Sequence, residues 1–207
     1  MTDIELMDEL INRKALIIHC SRPGKGDEGI NGLLFPADLT NAIHICANQS
    51  KELCCSVIWP GHVETFGDVG IILKPRATAS ITLISNTDGG TRVDPTTGKR
   101  VGIGEPFSPQ AVTDTFANAT DYNEWNVQDA DTVGIFVKLP PPMPQVARIV
   151  DITTIQGYDP MMGTDPMVIP VDITLAEIRA AFPGLPVFTI KDGAIVEISG
   201  AAANPYA

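Results

Sequence analysis

The sequence predicts an α+β fold: mixed, mostly antiparallel split sheets with a few short helices, plus a small C-terminal α+β extension. Three observations carry that prediction. Short apolar or alternating runs, each closed by glycine, proline or Asp-Gly chemistry, recur along the chain as strands do. Helical spacing occurs only in brief segments that carry their own start signals. The proline run at 140–144 cannot sit inside a helix or central strand, so it divides the chain into a main domain (1–139), a proline-rich linker (140–145) and an extension (146–207). The extension reads either as a small subdomain or as a piece completing the main sheet.

The elements follow in order. Thr2-Asp-Ile-Glu5 is a capping box, and Ile4, Met7, Leu10 and Ile11 fall at helical spacing, so a short amphipathic helix covers 3–13. Ala15 to Cys20 reads as a buried strand. Pro23 and the glycines at 24, 26, 29 and 32 then make a loop, which ends where Leu33, Leu34 and Phe35 re-enter the core. Pro36 suits the first turn of a helix to about Asn48, with Leu39, Ala42, Ile43 and Cys46 on one face.

Leu53 to Trp59 and Val69 to Leu73 are strands stopped by Pro60-Gly61 and Pro75, with His62 and Phe66 in the loop between them. Thr78 to Ser85 alternates as a half-exposed strand, and residues 86–104 form a hairpin or long excursion built on Asp-Gly and Asp-Pro turns. Ser108-Pro109 opens a helix that turns Val112, Thr115 and Phe116 inward. After Tyr122-Asn-Glu-Trp125 comes the strand Thr132 to Leu139. The extension holds a strand from Val146 to Ile155, a loop repeating Asp-Pro-Met, a capped helix from Thr174 to Phe182, and a hairpin around Lys191-Asp-Gly193.

Composition narrows the function classes. Hydrophobic residues at 44% with charged residues at 19% describe a folded chain long enough to bury a core. The net charge of -11, from 25 acidic against 14 basic residues, opposes non-specific phosphate binding, so a protein or small-molecule partner is favoured over nucleic acid. No apolar run approaches the roughly 18 to 20 residues of a membrane helix, and the acidic, amphipathic start differs from a secretory signal. Those features predict a cytosolic protein whose four cysteines are reduced and mostly buried.

Two stretches carry candidate chemistry. His19 and Ser21 alternate at the end of a buried strand, directly before the glycine-rich loop, where polar side chains need partners and a ligand could approach the backbone. Their bland reading is a hydrogen-bonded histidine closing a strand. Glu124 lies between Tyr122 and Trp125, a setting in which a carboxylate stabilises a developing cation while rings stack on a flat group. Its bland reading is a surface turn with the aromatics capping the core. His19, Cys20, His44, Cys46, Cys54 and Cys55 are all metal-ligand types, but their spacings fit none of the usual frames, and no metal is expected. Neighbouring His19 and Cys20 point apart on a strand, which argues against a thiol enzyme built on that pair. The glycine loop is neither a Walker loop nor a dinucleotide fingerprint.

In order and content these pieces resemble the ADP-ribosyltransferase fold, in its branch with a histidine on the first core strand. Leu16-Ile-Ile-His-Cys-Ser21 is similar to that branch's opening strand, Asn31-Gly-Leu-Leu-Phe-Pro36 to the segment after its nucleotide loop, Cys55-Ser56-Val57 to its middle motif, and Tyr122-Asn-Glu-Trp125 to the late strand bearing the catalytic glutamate. The resemblance covers residues 15–139. It implies NAD as substrate, without a metal, and cleavage of the nicotinamide–ribose bond with transfer of ADP-ribose to a protein or small molecule. Glu124 and His19 would be catalytic; Ser21, Arg22, Ser56, Tyr122, Trp125 and Phe66 would bind the dinucleotide, Arg22 at its diphosphate. Tyr122, where a second acid would serve transfer to arginine, argues against that acceptor. The rival expectation is a non-catalytic α+β binding or assembly module in which His19 and Glu124 are structural. Convergence of His19, Ser21 and Glu124 on one place separates the two.

Overall fold

The structure, a computed structural model, describes residues 1–21, 33–87, 91–98, 100–117, 122–139, 143–150, 167–198 and 204–206. Helix α1 (Asp3–Asn12) starts where its sequence says it should: the Thr2 hydroxyl accepts from the Glu5 N–H at 3.2 Å and the Glu5 carboxylate accepts from the Thr2 N–H at 2.6 Å. Leu6 and Leu10 are its buried face. The chain then enters β1 (Leu16–Ser21), in which Leu16, Ile17 and Ile18 are fully buried, as befits a strand covered on both faces.

Strand β1 lies inside an eight-stranded sheet. The others are β2 (Leu53–Ile58), β3 (Val69–Pro75), β4 (Ile81–Ser85), β7 (Glu124–Val127), β8 (Ala130–Val137), β11 (Val187–Lys191) and β12 (Ala194–Glu197). Their spatial order is β12-β11-β8-β3-β1-β2-β7-β4, antiparallel throughout except for the parallel pair β8 and β11. Two further pairs stand apart: β5 (Thr91–Val93) with β6 (Arg100–Gly102), inside the predicted excursion, and β9 (Gln145–Val150) with β10 (Met167–Asp172).

The sheet divides at its centre. Pairing of β1 with β2 comprises Leu16↔Ile58, Ile17↔Val57 and Ile18↔Ser56. Beyond Ile18, β1 continues on β3 as far as Ser21↔Val69, while β2 pairs through Leu53–Cys55 with β7. Both β2 and β3 run antiparallel to β1, so the connection 59–68 must travel the length of β1 to join them. It leaves through a tight Trp59–His62 bridge and arrives at Gly67, where a Cβ would stand 2.1 Å from the Ser21 carbonyl oxygen. Only glycine allows that backbone approach.

Helix α2 (Ala37–Ala47) buries Asp38, Leu39, Ala42 and Cys46, with Pro36 just before its first residue. Helix α3 (Pro109–Ala117) is capped by Ser108, whose hydroxyl accepts from the Ala111 N–H at 3.0 Å, and buries Ala111, Val112, Thr115 and Phe116. Helix α4 (Leu175–Ala181) repeats the α1 device with Thr174 and Glu177.

The C-terminal residues enlarge the main sheet. Val187↔Ile135 and Phe188↔Phe136 join β11 to β8, and the Asp192-Gly193 turn, both residues at positive φ, returns the chain as the edge strand β12. Gly134 makes room for this: a Cβ there would meet the Phe188 ring at 2.7 Å. Farther on, the buried Tyr206 hydroxyl accepts from the Ile17 N–H at 2.8 Å and donates to the Leu73 carbonyl at 3.0 Å. It bridges β1 and β3 just past Ile18↔Ile72, where the β3 register on β8 also shifts.

Three local expectations are corrected. Glu124–Val127 is an interior strand, which removes the surface turn of its bland reading, because β2 and β4 supply hydrogen-bond partners on both its edges. Thr78–Ser80 is a 3₁₀ turn before β4, held by the Ser80 hydroxyl accepting from the Ala77 N–H. The stretch Met167–Asp172 is a strand despite Pro170, paired with β9 as half of a two-stranded sheet.

Candidate functional site

The site is built where β1 and β2 part. His19, half-buried at the end of β1, reaches across the gap, and its Nδ1 lies 2.8 Å from the Cys54 carbonyl oxygen. A carbonyl only accepts, so Nδ1 donates the proton of this bond. Register then explains the other partner. Cys54 pairs with Asn126, and alternation along β7 puts Glu124 on the same side of the sheet as Asn126 and Cys54. The Cys54 thiol donates to Glu124 Oε1 at 2.9 Å, with Asn126 Oδ1 at 3.6 Å. Asn126 in turn donates to the Glu52 carboxylate at 3.3 Å.

His19 and Glu124 thus both hydrogen-bond to one residue, Cys54: the imidazole to its carbonyl, the carboxylate to its thiol. Cys54 is exposed, whereas Cys20, Cys46 and Cys55 are buried. Burial pushes the Cys55 thiol well above the usual thiol range and raises that of Cys46 too, leaving neither suited to thiolate chemistry.

Two residues before Glu124 stands one ring of an aromatic pair. Phe66, on the crossing connection, and Tyr122, just before β7, stack with ring centres 5.0 Å apart and planes 13° from parallel, both half-buried. Asn123 fixes the Tyr122 end. Fully buried, it accepts from the Val57 N–H and donates to the Val57 carbonyl, each at 2.7 Å, and so substitutes for a backbone ladder pair between β2 and the start of β7. His62, 3% exposed, packs flat against Trp59 and approaches the Asn123 amide at 3.5 Å.

Several residues named from the sequence are buried or lie apart from this group. Ser21 is 1% exposed and donates its hydroxyl to Asp38 at 2.5 Å, beneath α2. Burial raises the Asp38 pKa, against the opposing hydrogen bonds from Ser21 and the Leu39 N–H. Ser21 therefore serves the β1–α2 packing and does not join His19 at Cys54. Trp125 is wholly buried and donates its indole N–H to Thr115 at 3.1 Å, since alternation turns it away from Glu124 and under α3; no ligand can stack on it. Ser56 is also buried, and among the described residues its hydroxyl has no hydrogen-bond partner. Arg22 and most of the glycine-rich loop lie outside the described residues.

Cys54, Asn123 and Asn126 are the members that sequence reasoning missed. A Cys-Cys pair in an apolar strand reads as buried, and only the registry with β7 reveals that the first is exposed and faces a carboxylate. Among the described residues no cluster of three or more His, Cys, Asp or Glu side chains is disposed to hold a metal, and no helix is long and apolar enough to cross a membrane. A separate open cavity of about 240 Å³, lined by Arg179, Phe182, Leu185, Pro186, Val187 and Glu197, includes neither His19 nor Cys54 nor Glu124. Comparison of the chain with protein-family models, with curated proteins and with solved structures returns no match.

Proposed function

We propose that the chain is an NAD-dependent ADP-ribosyltransferase-like enzyme that cleaves the nicotinamide–ribose bond and passes ADP-ribose to a protein or small-molecule acceptor in a cytosolic setting. The observation that supports this reading most is that His19 and Glu124 each hydrogen-bond to Cys54 at the split of the sheet. Cleavage of an N-glycosidic bond passes through a cation-like sugar, and a carboxylate held beside the anomeric carbon stabilises it. Glu124 takes that role, also meeting a ribose hydroxyl. His19, held to Cys54 through Nδ1, takes the nicotinamide ribose, and the ring pair Phe66–Tyr122 offers a flat surface for nicotinamide.

The test is nicotinamide release from NAD by wild type and Glu124→Ala, with NAD binding measured by calorimetry on both. Release by wild type that falls by about 10²-fold or more in the variant supports the reading, that being the usual scale of such electrostatic stabilisation. Neither binding nor release by wild type overturns it. The outcome would then favour a non-catalytic binding or assembly module, with which the structural burial of Ser21 and Trp125 is compatible.

A further inference from the structure

We propose that Cys54 is a site of self-modification, its thiol taking up the ADP-ribosyl group cleaved from NAD; this rests on the NAD-cleaving reading above. Two independent observations point to it. The exposed thiol is already hydrogen-bonded to Glu124 Oε1 at 2.9 Å, the arrangement of a nucleophile with its base. Two residues along β2, and hence on the same side of the sheet, the Ser56 hydroxyl is 1% exposed with no partner among the described residues. Buried hydroxyls are ordinarily paired, so this oxygen is an unmet polar group on the Cys54 side of β2 that a polar group of the entering ligand would pair.

The step balances without a further reagent. The Cys54 sulfur forms a bond to the anomeric carbon of the nicotinamide ribose as the carbon–nitrogen bond breaks. Nicotinamide leaves with that bonding pair and becomes neutral, because its ring was cationic in NAD. The thiol proton passes to Glu124 and from there to solvent. The product is a thioglycoside between Cys54 and ADP-ribose, formed beside the residue that made it.

Four cysteines make the assignment checkable. Cys20, Cys46 and Cys55 are buried, so the modification falls on Cys54. The full chain is incubated with NAD and followed by intact mass, by mapping of the peptide that holds Cys54, and by nicotinamide release and calorimetry in parallel. An adduct of one ADP-ribose at Cys54, resistant to hydroxylamine and removed by mercuric ion, is the expected result. It should be absent from Cys54→Ser and from wild type first alkylated with iodoacetamide, and slowed about 10²-fold or more in Glu124→Gln, the scale of a lost general base. Alkylated wild type keeps the test valid if Cys54→Ser fails to fold. Nicotinamide release with Cys54 left unmodified overturns the self-modification alone. Absence of both NAD binding and release overturns the NAD-cleaving reading and this inference with it.

Discussion

The hydroxyl of Tyr206 receives the amide N–H of Ile17 at 2.8 Å, joining residues 189 apart in sequence inside the core. The same oxygen donates to Leu73, and the buried phenol is pushed well above the usual tyrosine range, so it stays protonated and able to do both. Replacing Tyr206 by Phe leaves a buried N–H and a buried carbonyl without their partner. The expected cost is about 1–3 kcal/mol, seen as a melting temperature lower by about 2–4 °C for each kcal/mol. An unchanged melting curve would show that the bridge is not needed.

Asn123 has a similar role at the other side of the split. Truncation in Asn123→Ala unpairs both backbone groups of Val57 and frees the chain that carries Tyr122. We expect a loss of about 2–4 kcal/mol in urea denaturation, the scale of breaking a buried hydrogen-bond network. Asn123→Asp should also destabilise, since a carboxylate keeps the acceptor for Val57 N–H and opposes the carbonyl.

How much of this was legible in the sequence depends on whether the signal was local. The capping boxes at Thr2 and Thr174, the buried run of β1 and the Asp192-Gly193 hairpin are written in adjacent residues, and the structure has each of them. Strand β7 is only four residues long and follows turn-forming Asp121 and Asn123, so its identity comes from β2 and β4 pairing on either side. His19 and Glu124 stand out as polar groups bordering apolar runs. Ser21 and Trp125 look equivalent to them in sequence; what distinguishes them is cover by α2 and α3, a tertiary fact with no local pattern.

Asp38 makes folding stability pH-dependent in a definite sense. Its folded pKa is raised by burial, so between the unfolded and folded values the native state holds more protons than the unfolded one. This contribution is fully present below the unfolded pKa and is lost as pH rises through the folded pKa. Wild type should therefore lose stability relative to Asp38→Asn as pH rises from about 4 towards neutrality. Parallel denaturation curves of the two proteins across that range check it; a constant difference would sink the assignment.

Gly67 predicts a steric effect. A methyl group at this position would stand 2.1 Å from the Ser21 carbonyl oxygen, a backbone atom fixed by pairing with Val69. Gly67→Ala should cost about 3 kcal/mol, the upper end of ordinary overpacking. It should also displace neighbouring Phe66 from Tyr122, detectable as a change in near-ultraviolet circular dichroism larger than the one that Gly61→Ala produces.

The narrow junction of β1 with β2 has a mechanical meaning. Five strands on one side and three on the other are joined at three residue pairs, Leu16↔Ile58 to Ile18↔Ser56, with the His19–Cys54 hydrogen bond beyond them, so the sheet consists of two leaves sharing a short seam. Bending along that seam would change the spacing of His19 from Glu124 while leaving the seven-pair β3–β8 ladder intact. Amide exchange at residues 55–57 should accordingly be faster than at Ile71 and Ile72, which sit within the β3–β8 ladder, and anything that spans the gap should slow it.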